Sequence, residues 1–132
     1  MPTPILVSIP FGDPAADDTI PVFVAPSGAN GGGLTLVAAK FINQAATNAG
    51  TSFSLALHKY SAAGTPAVNG TISSAAIGGT ATPWADGVPQ SFTLTSPYDK
   101  IAAGESIWVV YTEQASGNPT RGLLMLHFLP GL

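Results

Sequence analysis

Hydrophobic and polar residues alternate most clearly in the segment SFTLTSPYDKIAAGESIWVVYT, residues 91–112. Phe92 and Leu94 alternate there with Ser and Thr, which is the period-two pattern of a strand with one dry face and one solvated face. From residue 107 to 111 both alternating faces are apolar, and such a strand needs a cover on each side. The pattern therefore indicates assembly, since the second cover is a packed sheet, a loop or another copy of the protein.

Glycine and proline interrupt the chain at short intervals, which favours many short strands over long helices. The predicted fold is all-β, an antiparallel β-sandwich or jelly roll of about eight short strands. The predicted strands cover residues 5–9, 20–25, 34–42, 53–60, 71–77, 92–95, 107–112 and 122–128, the fifth of them with the weakest pattern.

A helix competes with a strand in one segment, LTLVAAKFINQAATNA, residues 34–49. Its alanines are compatible with a helix of a few turns. Its Thr, Val, Phe and Ile side chains suit a pleated surface, however, and glycine-containing turns bracket the segment. We therefore predict a strand here.

Prolines set the first 18 residues apart from the rest of the chain. Because proline lacks a backbone donor, we expect no regular ladder pairing through much of this stretch. We interpret residues 1–18 as an extended N-terminal arm and residues 19–132 as a single β-sandwich domain. The arm is expected to lie on its own sandwich or on a neighbour's, because its apolar residues would be poorly placed in water: Ile5, Leu6, Val7, Ile9 and Phe11. All of these except Leu6 are contact candidates.

Apolar residues later in the chain complete the predicted contact set. Residues 122–132 are among the most hydrophobic and are predicted to form a central strand or an interface strand. The pattern leaves open which face of this strand belongs to the core. The interface candidates outside the arm are Trp84, Trp108, Val110, Leu124, Leu126 and Phe128.

Charged residues make up 8% of this 132-residue chain, against about 25% in a typical soluble protein. The length suits one domain with a core of its own. The absence of cysteine excludes disulfides and thiolate metal sites. The few basic residues are scattered, so we predict no nucleic-acid partner. No apolar run reaches the roughly 20 residues of a membrane span, so no membrane partner is predicted.

Candidate ion sites are weakly supported. The turn GANGGGL, residues 28–34, lacks the Lys and Ser/Thr of a phosphate-binding loop and is predicted to be a flexible hairpin or a loop tip. Asp13, Asp17 and Asp18 offer oxygen ligands to a hard cation, but their spacing is not that of an EF-hand. The preferred interpretation is a solvated turn in which Asp17 or Asp18 hydrogen-bonds local backbone.

Catalytic residue types do not form a recognisable set. His58 is predicted to be a surface residue, and His127 a core or interface residue. Asp99 and Glu105 flank a tight turn, where carboxylates usually serve solubility. No GxSxG motif accompanies the serines. We therefore predict a protein that is not an enzyme, with no catalytic residue, metal or cofactor.

Trp84, in the loop TPWADG, has two interpretations. An exposed loop tryptophan can stack on a sugar ring. Loop tryptophans more often plug the end of a sandwich core or anchor a protein interface, and these interpretations are preferred.

The order of segments resembles that of a known group of proteins. A proline-rich arm is followed by VFVAP, a glycine-rich turn, LTLVAAKFINQA, a hydroxyl-rich middle, SFTLTSPYDKIAAGESIWVVYTE and LLMLHFLPG. This order resembles the small β-sandwich virion proteins of tailed bacteriophages, most of all capsid decoration (cement) proteins. Gly104 and Glu105 stand where such proteins often carry Gly-Asp, so Glu105 departs from the commoner Asp.

The resemblance implies a structural protein on the outer surface of an icosahedral phage capsid, assembled in the host cytoplasm. Such proteins commonly form trimers and clamp neighbouring subunits of the major capsid protein. The expected partners are therefore sister copies and the major capsid protein, with the arm as the clamp. A clamp gains strength from several modest contacts made at once.

An alternative from another class is a carbohydrate-binding or receptor-binding sandwich, such as a head-fibre or tail-associated adhesin domain. Its stacking platforms would be Trp84 together with Tyr60 or Tyr98.

Overall fold

A computed structural model of the chain describes residues 4–11, 17–26, 33–47, 52–64, 66–79, 82–114 and 122–131. All regular elements in these ranges are β-strands. The described residues contain no helix that is long and apolar enough to cross a membrane. The strands form two antiparallel sheets that pack against each other around one apolar core. The predicted all-β sandwich is therefore confirmed.

The first sheet contains β1 (Ile5–Phe11), β3 (Leu34–Asn43), β7 (Gln90–Ser91), β8 (Lys100–Ile101) and β10 (Gly122–Pro130); the second contains β2 (Asp18–Val24), β4 (Ser52–Tyr60), β5 (Pro66–Thr71), β6 (Ile77–Gly78) and β9 (Ser106–Gln114). The first sheet is ordered β1-β10-β3-β7, with β8 also paired to β3, and the second is ordered β2-β9-β4-β5, with β6 also paired to β4. The first four strands alternate between the sheets, whereas β4 to β6 share the second sheet and β7 and β8 share the first. This order is compatible with a jelly roll, which stays a prediction at that finer level.

Most predicted strands are present, and the segment in which a helix competed is strand β3. The strands predicted at residues 71–77 and 92–95 are wrong. Only an isolated bridge between Ser73 and Leu94 links these two stretches. The backbone N–H of Ile72 donates to Leu57 on β4, and that of Phe92 donates to Ala39 on β3. The N–H of Thr95 in turn donates to the carbonyl of Ile72 at 2.8 Å, so the two stretches connect the sheets at this point.

The N-terminal segment is also more regular than the prolines predict. All seven residues of β1 pair with β10, so the expectation of no ladder pairing is wrong for Ile5–Phe11. An edge strand donates to its neighbour only through alternate residues, and proline is tolerated at the others. Pro10, opposite Leu123, occupies such a position. The glycine-rich turn at residues 28–34 and Asp13 lie largely or wholly outside the described residues.

An aromatic cluster fills one end of the core. The Trp84 ring stacks on Phe53, with centroids 5.1 Å apart, and meets Phe41 edge to face at the same distance. Its indole N–H donates to the carbonyl of Phe53 at 3.0 Å, which satisfies the buried polar atom. Only 1% of Trp84 is exposed. The tryptophan therefore closes the end of the sandwich, as the preferred interpretation holds, and is not a stacking platform.

We expect Gly78→Ala to be strongly destabilising. Gly78 has φ of 76°, and a methyl group there would lie 2.5 Å from the Trp84 ring. The left-handed backbone should cost about 1–2 kcal/mol of unfolding free energy, and overpacking about 1–3 kcal/mol more. Chemical denaturation measures the change. Gly64→Ala is the matched control, because Gly64 has φ of 83° and open space around it. Equal losses in the two variants would contradict the contact with Trp84.

Candidate interaction surfaces

Five of the ten predicted contact residues lie in the core of the chain itself. The alternation of β10 directs its buried side chains toward the second sheet, where they pack in the single core cluster. These five are corrected to core positions, because none is more than 5% exposed and so none offers a side chain to a partner: Phe11, Trp84, Leu124, Leu126 and Phe128.

The other five candidates lie on the edge strand β1 of the first sheet or on β9, an inner strand of the second sheet. Val7 and Ile9 are partly buried against the core, whereas Ile5 is 38% exposed at the start of β1. Trp108 and Val110 are half-buried on the outer face of the second sheet. Their inward neighbours on β9 are fully buried, so β9 is apolar on both faces as the sequence predicts.

The outer face of the first sheet carries apolar side chains that the predicted contact set left out, although Leu6 among them was expected to be poorly placed in water. Leu6 is 75% exposed, Val37 41% and Met125 37%. Ile42 and Leu123 face each other across β3 and β10 on the same side. The signal for this surface was the largely apolar sequence of β10, interrupted only by His127, but alternation in the sequence does not say which of two apolar faces is covered. We call the exposed side the outer apolar face; it consists of Leu6, Val37, Ile42, Leu123, Met125 and Leu129.

A shallow groove of 360 Å³ crosses the outer apolar face. Its walls come from three neighbouring strands, since Leu6 is opposite His127 on β10 and His127 is opposite Ala38 on β3. The next row across the sheet is Ser8, Met125 and Lys40. The Nε2 atom of His127 is buried and has no hydrogen-bond partner. Lys40 is the single fully charged residue among the groove's lining residues.

An aromatic pair lies on the outer face of the second sheet. The rings of Tyr60 and Trp108 stack with centroids 4.5 Å apart and an interplanar angle of 18°. The indole N–H of Trp108 donates to Ser106 Oγ at 2.8 Å. His58 is directly opposite Trp108 on β4. The predicted platform residue Tyr60 is therefore paired with Trp108 and not with Trp84.

Burial lowers the pKa of His58 below its ordinary value of 6.5. Desolvation disfavours the imidazolium, so the folded chain keeps His58 neutral at pH values where the unfolded chain protonates it. The unfolded state therefore binds more protons in that window, and stability falls as the pH drops below 6.5.

We expect the free energy of unfolding to decline less between about pH 7 and pH 5.5 in His58→Gln than in the unchanged chain. The glutamine has no proton to gain in either state. Urea denaturation at both pH values measures the decline, and the comparison between the two proteins removes the contribution of every other titrating group. Identical declines would contradict the assignment to His58.

Carboxylates serve the fold at two places. Glu105 Oε1 accepts the N–H of Ala102 at 2.7 Å and lies 3.6 Å from Lys59 Nζ, so Glu105 closes the turn that it was expected only to solubilise. Asp17 Oδ1 accepts the N–H of Glu113 at 2.8 Å, a distant residue in the sequence, which ties the start of β2 to β9. Within the described residues no three His, Asp or Glu side chains are grouped to hold a metal ion.

Comparisons with protein-family models, curated proteins and solved structures found no match.

Proposed function

We propose that this chain is a structural protein that binds a larger assembly through the outer apolar face of its first sheet. The assembly is the outer surface of a phage capsid, and the chain acts there as a decoration protein across neighbouring major capsid subunits. The association of sister copies, with a trimer as the expected number, belongs to the same proposal. The choice of a capsid as the partner rests on the sequence resemblance. The observation that supports binding is the exposed apolar surface.

Two physical features support this function. Apolar side chains from three adjacent strands are exposed together, and water disfavours such a patch on a solitary protein. Charge is also scarce, so repulsion between neighbouring copies on a shell would be weak. An apolar face with few ion pairs suits a permanent contact better than a contact that must be reversed.

The N-terminal segment does not bind as the free, extended arm that its prolines led us to expect. Val7 and Ile9 cover part of the core, and Phe11 is buried, so β1 is an integral strand of the sandwich. Its contribution to binding is the outward side chain of Leu6, next to Met125 and its neighbours. Removing the segment would uncover the core, and for this reason single outward substitutions test the proposal better than a truncation.

We expect Leu6→Glu and Met125→Glu to abolish binding to empty shells of the major capsid protein from the same genome. Each places a charge in the apolar contact, where it has no partner. Cosedimentation with the shells measures binding, and resistance of the shells to heat measures stabilisation.

Val24→Glu is the matched control for these variants. Val24 is 62% exposed but lies on β2 of the second sheet. It should bind as the unchanged chain does. The proposal fails if the unchanged chain does not bind, or if all three variants bind equally well.

The aromatic pair favours a second candidate function, the recognition of a carbohydrate. Tyr60 and Trp108 present a partly exposed aromatic surface, and hydroxyl side chains such as Ser54 and Thr112 occupy the same face of β4 and β9. Aromatic rings next to hydroxyl groups are the components of sugar-binding surfaces. Trp84, the platform first considered, is buried and takes no part.

Under this second function, a glycan array should show binding that Trp108→Ala removes and Val24→Ala retains. The tryptophan ring supplies most of the stacking area, so its loss should reduce affinity about tenfold or more. The absence of glycan binding by the unchanged chain, or binding unaffected by Trp108→Ala, would rule this function out.

A further inference from the structure

β1 leaves one side of the first sheet open. It is the terminal strand in the order β1-β10-β3, and no strand in the described part of the chain pairs with its far side. Leu6 at 75% exposure is the most exposed large hydrophobic residue of the described chain, and Ile5 beside it is 38% exposed. An open edge is a row of backbone donors and acceptors available to another strand.

The prolines fix which residues of β1 face that edge. Opposite residues of an antiparallel ladder exchange two hydrogen bonds or none, in alternation. Pro10 has no N–H, so its pair with Leu123 exchanges no hydrogen bonds. Ser8 and Leu6 stand two and four residues from Pro10, so their pairs with β10 also exchange none. The N–H and C=O groups of Leu6 and Ser8 therefore point away from β10, toward the open edge.

The segment that presents these groups is nearly symmetrical about Val7. Residues 4–10 read PILVSIP, so that proline stands at both ends, isoleucine stands next to each proline, and only Leu6 and Ser8 differ. No residue in the segment is charged. A second copy running antiparallel in register would place each residue type opposite itself, with the exception of that one pair.

We propose that the open edge of β1 pairs with the same edge of a second copy, antiparallel, across a two-fold axis at Val7. Leu6 of each copy exchanges two backbone hydrogen bonds with Ser8 of the other, which gives four bonds in total. Ile5 of each copy lies beside Ile9 of the other and gains a cover for its exposed side chain. The two first sheets become one continuous sheet.

The flanking prolines limit the length of the ladder between the two copies. Pro4 and Pro10 would form the next bonded pairs on either side, but neither has an N–H to donate. The ladder therefore ends after Leu6 and Ser8. An interface that uses the same patch on both copies is also satisfied by a single partner, so this contact joins copies in pairs and does not by itself build the trimer expected from the resemblance. This pairing does not depend on shell binding, since the groups that it uses are the backbone of the edge.

Ser8→Pro tests the pairing by removing one backbone donor, the N–H of residue 8, from each copy. Proline suits an outward-facing position on an edge strand, as Pro10 shows, so the sandwich itself should keep its thermal stability. Two of the four intermolecular bonds are lost in the dimer, and the dimer dissociation constant should rise about thirtyfold or more. Ser8→Ala is the matched control, because it removes the hydroxyl and keeps the N–H. Sedimentation velocity over a range of concentrations gives the constants.

Val7→Cys tests the position of the axis independently of stability. The chain has no cysteine, so any disulfide that forms must join two copies. Directly opposite residues of an antiparallel pair without mutual hydrogen bonds are close enough for a disulfide. Oxidation should convert Val7→Cys to a covalent dimer, while Ser91→Cys, on an exposed residue of β7, should stay uncrosslinked.

The outcomes separate this pairing from the shell-binding function. A dimer that Ser8→Pro dissociates and Val7→Cys crosslinks supports the pairing, whether or not shells are bound. A monomer at all concentrations overturns it, as does a trimer that Ser8→Pro leaves intact. If Ser8→Pro fails to fold, the crosslink of Val7→Cys decides, and its absence overturns the pairing.

Discussion

The apolar core between the sheets, to which β9 and β10 both contribute side chains, holds the fold together, and the remaining structure depends on it. Ile107 and Val109 point inward from one strand, Leu124 and Leu126 from the other, and all four are fully buried. Each buried aliphatic side chain of this size contributes roughly 1.5–3 kcal/mol. One core, however, covers only one face of each strand. Because both strands are apolar on both faces, the outer side chains stay exposed to water once the fold is complete.

Alternation in the sequence predicted the strands well and their orientation poorly. The β-branched and aromatic residues of β3 correctly favoured a strand over a helix. In β10 almost every position is apolar. Which set of alternate residues is buried depends on the position of the opposite sheet, and the sequence pattern does not reveal that position. The segment 92–95 has a strand-like pattern but crosses between the sheets, because the N–H of Phe92 donates to Ala39 on β3 whereas the N–H of Thr95 donates to Ile72, which is itself bonded to β4. For Trp84 the sequence favoured a core plug or an interface anchor, and the structure decides for the core, where Gly78 leaves room for its ring.

The candidate surfaces are the faces of the two sheets that the shared core does not cover. The outer apolar face and the pair formed by Tyr60 and Trp108 lie on opposite sides of one sandwich, so one molecule can present both at once. Glu105 and Asp17, whose carboxylates accept backbone hydrogen bonds, support a turn and the start of a strand.

Proline in the two N-terminal strands has a consequence for solubility. Pro10 lies in β1 and Pro21 in β2, and both strands are terminal in their sheets. Many β-proteins protect such strands with lysine, which repels or sterically hinders an incoming chain. With so few charged side chains, this protein instead interrupts its edges with residues that have nothing to donate. Fibrillar growth from these edges is thereby hindered without charge, and the surface can stay neutral.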